Sequence, residues 1–244
     1  MHTNVSALKK FITTSLRINR NGVLLYGNGD AHYPRKKLFS GYIKIIPALM
    51  TNEKEKLTSF LLQTFPMPAA TVASIANLFK EKEFARHDFV LKEGRICNEY
   101  YFLETGFMRA FTFDHEGNDI TTTFYVADQI VCELLSFFKR IPSRENIESL
   151  TDCRCWYISF DELQTVFHGI PEFREFGRTI LINAYSRLKQ RMLSMIQETA
   201  ETRYVSLLQS SPDIFQHAQL KYIATYLGIT DTSLSRIRKD FSKR

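Results

Sequence analysis

Cysteine is scarce. The chain has four, Cys97, Cys132, Cys153 and Cys155. They are too few for a disulfide framework and point to a reducing, cytoplasmic setting. Cys153 and Cys155 stand two apart in an expected strand, share one face and read as buried thiols. A zinc or iron–sulfur centre needs more ligands than these supply. The six histidines are scattered, with no His-x-His or His-Glu-x-x-His, which weighs against a metalloenzyme. No apolar run approaches the roughly 18 uncharged residues of a membrane helix. Acids are nearly missing from the first 49 positions, where eight Lys/Arg face only Asp30. The remainder holds 24 basic and 25 acidic residues, so the formal charge of +6 says little about the folded body.

What is present changes character along the chain. Residues 1–49 carry Asn-Arg-Asn-Gly, Gly-Asn-Gly-Asp and Pro-Arg-Lys-Lys, with little periodicity. Met50 then opens a helix-like start with a capping residue and first-turn acids. We expect Met50 to be the initiator and 1–49 a poorly structured translated leader. A mitochondrial-type presequence is the competing reading. Residues 52–82 read as two helices around Phe65-Pro-Met-Pro68. From 84 to 160 come short β-branched and aromatic stretches: Phe89-Val-Leu, Tyr100-Tyr-Phe-Leu, Phe107-Met-Arg-Ala-Phe-Thr-Phe, Thr121-Thr-Thr-Phe-Tyr-Val and Cys153-Arg-Cys-Trp-Tyr-Ile. Turn signals separate them, which suggests an antiparallel barrel or sandwich. Ser159 opens a short helix ending near His168-Gly169.

Beyond Pro171 the period is helical. Phe176, Ile180, Leu181, Ala184, Leu188, Met192, Met195 and Ile196 form one broad apolar stripe. Half of it suits the β region and half the same helix of a second copy. Burial wholly within one chain is the alternative.

The end of the chain, Gln219 to Phe241, reads as two short helices around a turn. Leu220, Ile223, Ala224 and Leu227 give the first an apolar stripe, and Gly228 suits a turn needing positive φ. Ile229 can plug the angle between the helices. Thr230 is an N-cap for the second helix, whose inner stripe is Leu234, Ile237 and Phe241. Its outer face carries Asp231, Thr232, Ser233, Ser235, Arg236, Arg238 and Lys239. Residues 233–244 have five Lys/Arg against Asp240 alone, an electrostatic footprint suited to phosphate. The spacing is that of a helix-turn-helix whose second helix enters the major groove; an ordinary basic helical hairpin is the alternative.

In this order, the β region, long helix and terminal helices resemble the Crp/Fnr family of bacterial transcription regulators over residues 52–244. The matches are Leu91-Lys-Glu-Gly94, Tyr101-Phe-Leu-Glu-Thr-Gly106-Phe-Met-Arg109, Asp128 to Glu133, and Leu220 to Phe241. The chain is similar to the short members common in Bacteroidetes, which lack a terminal β-hairpin. The resemblance implies an α+β fold: a double-stranded β-helix (jelly-roll, cyclic-nucleotide-binding-like) sensor with flanking helices over 50–170. A dimerisation helix over 171–199 and a helix-turn-helix domain over 200–244 follow.

It implies a cytoplasmic homodimer that binds double-stranded DNA, is not an enzyme, needs no cofactor or membrane, and works with RNA polymerase and a small-molecule effector. Asp231, Thr232 and Arg236 fall at the family's base-contacting positions. Ser233, Ser235, Arg238 and Lys239 would position the helix on phosphates, beside the cap Thr230.

The family's phosphate cassette has Gly-Glu and, further on, Arg-Ser/Thr-Ala. Here the matching places read Cys132-Glu133-Leu134 and Ser143-Arg144-Glu145. The glycine is gone, the arginine is displaced by one, and Glu145 puts an anion where phosphate would sit. These residues form the candidate effector pocket, with cAMP not expected in it. The rival functions are a ligand-binding or protein-interaction module whose helical tail contacts a protein, and a cupin-type enzyme, which would need clustered His/Glu metal ligands in strands over 100–135, where His115 sits in a turn beside Glu116 and Gly117.

Overall fold

In a computed structural model of the chain, residues 16–18, 24–26 and 52–242 are described. The chain separates into two compact units, Met1–Leu49 and Met50–Arg244. The first shows two antiparallel strands, β1 (Leu16–Ile18) and β2 (Leu24–Tyr26), with Arg17 opposite Leu25. The leader expected over 1–49 otherwise lies outside the described residues.

The second unit opens with a 3₁₀ turn at Asn52–Lys54, then α1 (Glu55–Thr64) and α2 (Ala69–Leu78). They break at Phe65 to Pro68, because a residue before proline is driven out of the helical region. Lys54 Nζ donates to the carbonyls of Ala76 and Phe79, at 3.1 and 2.7 Å, and closes the end of α2.

Eight strands follow: β3 (Lys80–Phe84), β4 (Phe89–Leu91), β5 (Glu99–Thr105), β6 (Met108–Phe113), β7 (Asp119–Tyr125), β8 (Gln129–Val131), β9 (Asn146–Ser149) and β10 (Cys153–Ser159). One sheet has the order β3-β10-β5-β8 and the other β4-β9-β6-β7. The antiparallel pairs are nested, β3 with β10, β4 with β9, β5 with β8 and β6 with β7. That nesting is a jelly roll. The β5–β6 turn needs a glycine: Gly106 has φ +102°, and a Cβ there would lie 2.6 Å from the Asp152 carbonyl oxygen.

Helix α3 (Leu134–Lys139) interrupts the strands. The roll is followed by α4 (Phe160–Gly169), α5 (Pro171–Gln197), α6 (Ala200–Ser210), α7 (Asp213–His217), α8 (Leu220–Tyr226) and α9 (Asp231–Phe241). Ser159 and Glu162 form a capping box at α4. The Lys80 ammonium, then the Ser159 hydroxyl, hold the Glu162 carboxyl down at about 2.

The roll interior is filled by Phe102, Leu103, Met108, Val131, Ile147, Cys155 and Ile158, continuous with Leu57, Leu61, Phe173 and Phe176 of the covering helices. Phe60 of α1 joins the layers, 5.0 Å from the Phe102 ring and 6.0 Å from Phe176. A second apolar cluster joins Phe107, Phe124 and Leu150 to Tyr204, Leu207, Ile214, Tyr222, Ile223, Ala224, Leu227 and Leu234. The terminal helices therefore share a core with the outer surface of the roll.

The long helix divides its apolar stripe into a buried first half and an exposed second half. Its first half buries Phe173 and Phe176. Past Ile180, which packs half-buried against the core, apolar residues turn to solvent: Leu181, Tyr185, Leu188, Met192 and Ile196 are all exposed, Ile196 to 73%. A 3.6-residue period rotates slowly against this spacing, so one apolar run serves two directions.

Candidate functional site

The turn between α8 and α9 is built by paired backbone groups. Gly228, at φ +67°, donates its N–H to the Thr225 carbonyl, and Ile229 donates to Ala224, both at 3.0 Å. This Schellman arrangement satisfies carbonyls the helix leaves free. Two arginines complete it. Arg203 Nε and Nη2 donate to the Leu227 carbonyl at 3.1 and 2.9 Å, and Arg191 Nη2 donates to that of Tyr226 at 3.0 Å. Thr230 then caps α9, its Oγ1 accepting the Ser233 N–H at 3.3 Å.

The inner faces meet largely as expected, with Ile223, Ala224, Leu227 and Leu234 buried and Ile237 half-buried. Leu220 and Phe241 are corrections: each is 39% exposed. Tyr222 takes the inward place instead of Leu220, because α8 faces the roll as well as α9.

On α9, Asp231, Thr232, Ser235, Arg236, Arg238 and Lys239 are exposed and Ser233 is half-buried. The Thr230 hydroxyl lies 2.9 Å from that of Thr232 and donates to Ser233 Oγ at 3.0 Å. The side chains of Arg236, Arg238 and Lys239 have no hydrogen-bond or ion-pair partner among the described residues. They form a cationic face on a helix held rigidly from behind.

Helix α8 is docked on β7. The Thr225 hydroxyl accepts the Thr121 N–H at 3.1 Å, and Arg191 Nη1 of α5 donates to the Thr122 carbonyl at 3.0 Å. Arg109 of β6 lies at the centre of the contact. Its guanidinium is bidentate to Asp119, with both bonds 2.6 Å, while Nε donates to Glu148 at 2.6 Å and Nη1 to Thr121 at 3.0 Å. Burial alone would lower its pKa, but the two carboxylates win and the net direction is up. The flat face of the guanidinium then covers the Tyr222 ring at 3.4 Å. A buried charge on the sheet is thus satisfied edge-on by carboxylates and face-on by the terminal helices. The sequence places Arg109 in a family motif, but its partners are distant in sequence.

Against β4, β5 and the loop between them is a cavity of about 390 Å³. Its walls include Val90 and Leu91 of β4, Tyr101 of β5, Val131 after which the chain leaves β8, and Cys97 and Cys132. Lys92, Arg95 and Glu99 also line it, Lys92 and Arg95 exposed and Glu99 half-buried.

Residues 81–169 match the cyclic nucleotide-binding domain family. The stretch contains every strand of the roll except the first residue of β3. No curated protein matches the chain. Several solved structures share the fold of the wider body. CLP from Xanthomonas campestris is 15% identical, with TM-score 0.58, over 72% of this chain and 92% of its own. FixK2 from Bradyrhizobium japonicum is 15% identical, with TM-score 0.58, over 68% and 85%. An Eubacterium rectale protein described as of the crp/fnr family is 16% identical, with TM-score 0.59, over 74% and 88%.

Within this stretch, the five candidate pocket residues are dispersed. Only Cys132 lines the cavity. Glu133 caps α3, accepting the N–H groups of Leu135 and Ser136 at 3.1 and 2.7 Å. Leu134 faces a separate apolar groove with Phe138, Phe173 and Phe176. Ser143 is buried and donates to the Glu145 carbonyl at 2.7 Å. Arg144 is exposed, and its carbonyl accepts the Thr112 hydroxyl at 3.0 Å. Cys97 was missed by motif reading because it lies in an irregular loop outside the family's cassette. Among the described residues, no group of three or more His, Cys, Asp or Glu comes together as a metal site. No helix there is long and apolar enough to cross a membrane.

Proposed function

We propose that the chain is a sequence-specific DNA-binding transcription regulator of Crp/Fnr type, acting as a homodimer. The observation that carries this is the division of labour in the last two helices. Every buried side chain of the pair faces inward or onto the roll, while α9 presents hydroxyls and unpaired cations outward. Arg236 would donate to a guanine edge, Asp231 would accept from cytosine, and Thr232 would touch a base or a thymine methyl. Ser233, Ser235, Arg238 and Lys239 would fix register on phosphates, with Thr230 capping the start of the helix they stand on.

Two-fold symmetry comes from α5 in this reading. Leu181, Tyr185, Leu188, Met192 and Ile196 repeat at steps of four, three, four and four residues along one exposed face. A second α5 packed there would bury them as a coiled-coil seam. Effector state would reach DNA through the α8–β7 contact, by favouring one placement of α9 over another. Cyclic phosphate is not the expected effector, since Glu133 serves a helix cap and Arg144 is exposed and does not line the cavity.

The test is a gel shift with duplex from the region upstream of the chain's own gene, repeated across salt concentrations. Binding whose logarithm falls linearly with log salt supports the reading. No binding to any duplex selected from a random pool would overturn it and favour a protein-binding tail. Leu188→Glu should convert a dimer to a monomer in analytical ultracentrifugation; an unchanged mass would move the seam elsewhere.

A further inference from the structure

Two of the four cysteines meet in the cavity. Cys97 lies in the loop between β4 and β5, and Cys132 directly follows β8. Their Sγ atoms are 3.9 Å apart. Both are shielded, at 5% and 8% exposure, yet both line the cavity. Its exposed lining residues Lys92, Arg95 and Asn98 leave a route for a small polar molecule. We propose that Cys97 and Cys132 are a reactive dithiol that closes to a disulfide, with a small hydroperoxide as the oxidant.

The chemistry balances with the groups present. The Cys97 thiolate attacks the terminal peroxide oxygen; an S–O bond forms, the O–O bond breaks, and the leaving oxygen takes a proton as water or an alcohol. Cys132 sulfur then attacks Cys97 sulfur. The S–S bond forms, the S–O bond breaks, and hydroxide leaves with the Cys132 proton as water. Two thiols are oxidised and one peroxide is reduced. A hydrogen bond from Cys132 holds the Cys97 thiol below the usual range, while burial pushes Cys132 well above it. One sulfur therefore attacks and the other retains its proton until the second step.

The remaining pair provides an internal control. Cys153 and Cys155 share β10 and neither lines the cavity. Burial raises both, Cys155 to about 12.

Closure requires the sulfurs to approach by about 2 Å. That movement pulls on α3 from two sides. Cys132 adjoins the cap Glu133, and the Cys97 N–H donates to Ser136 Oγ at 2.9 Å. The dithiol is thus wired to the helix whose Leu134 and Phe138 face α5.

The experiment uses the full chain, reduced, freed of reductant without air, and treated with stoichiometric hydrogen peroxide. Free thiols are counted after denaturation and peptides mapped by mass spectrometry. The expected result is loss of two of the four thiols and a Cys97–Cys132 linked peptide that dithiothreitol reverses. C132S should stop at a sulfenic acid on Cys97, trapped by dimedone. C97S should lose no thiol at the same dose. A C153S/C155S variant should still form the link, which guards against misfolding of the single variants. Four thiols surviving, a link through Cys153 or Cys155, or C97S reacting like the parent would each overturn the proposal. Because the readout is a thiol count, it is independent of DNA binding.

Discussion

Helices α8 and α9 are neighbours in one hairpin, yet the first faces the roll and the second faces water. The first, seven residues long, buries Tyr222, Ile223 and Ala224 and is clamped to the roll by Arg109, Arg191 and Thr225. The second, eleven residues long, buries only Leu234. The lesson is that one helix is used for holding and the other for presenting. Stability and recognition should therefore respond to different substitutions.

The largest effect should come from Arg109→Ala. Removing the cation leaves Glu148, with only 11% of its side chain exposed, and the half-buried Asp119 facing each other. Breaking a buried pair from one side costs ~3–5 kcal/mol. The midpoint of thermal unfolding should fall by on the order of 10 °C; an unchanged midpoint would show that α8 is not held here. Next is Ala224→Leu. Ala224 is fully buried between the helices and the roll, and overpacking such a site costs about 1–3 kcal/mol in chemical denaturation. A neutral result would mean that α8 stands off more loosely than described.

Arg236→Ala sharpens the comparison from the other side. The residue is exposed and unpaired, so stability should stay within roughly ±0.5 kcal/mol. Affinity for the selected duplex should fall by ~1–3 kcal/mol, with relaxed preference at one base pair. Equal affinity would remove Arg236 from the recognition face. Thr230→Ala touches both functions least. Loss of the cap should cost ~1 kcal/mol of stability, with duplex affinity lowered only to the extent that the start of α9 frays. A stability loss as large as that of Arg109→Ala would mean the hairpin is not held from the roll.

Legibility followed the distance over which each residue is satisfied. The aromatic and β-branched strands were readable because their burial is local to the pattern. Strand β3, Lys80-Glu-Lys-Glu-Phe84, was not. It is an edge strand whose charges pair with Glu162, Glu99 and Arg154, far along the chain. Strand β9 was hidden for the same reason. Asn146, Glu148 and Ser149 are buried polar residues made tolerable by Glu93 N–H, Arg109 and the Ala85 carbonyl. The Thr230 cap and Gly228 turn were plain, since caps and turns are set within a few residues. The inward turn of Tyr222 was not, because it answers to Arg109 across the domain. In the cavity, Cys132 fell in a recognisable motif, whereas Cys97 joined it only through the nesting of the strands.

The central claim is that α9, doubled by a second copy, faces a duplex. A hydroxyl-radical footprint of the full chain on its highest-affinity selected duplex tests it most directly. The account predicts two protected half-sites related by two-fold symmetry, with centres about 34–36 Å apart on one face. A single patch, or protection unchanged when the α9 cations are neutralised, would contradict it.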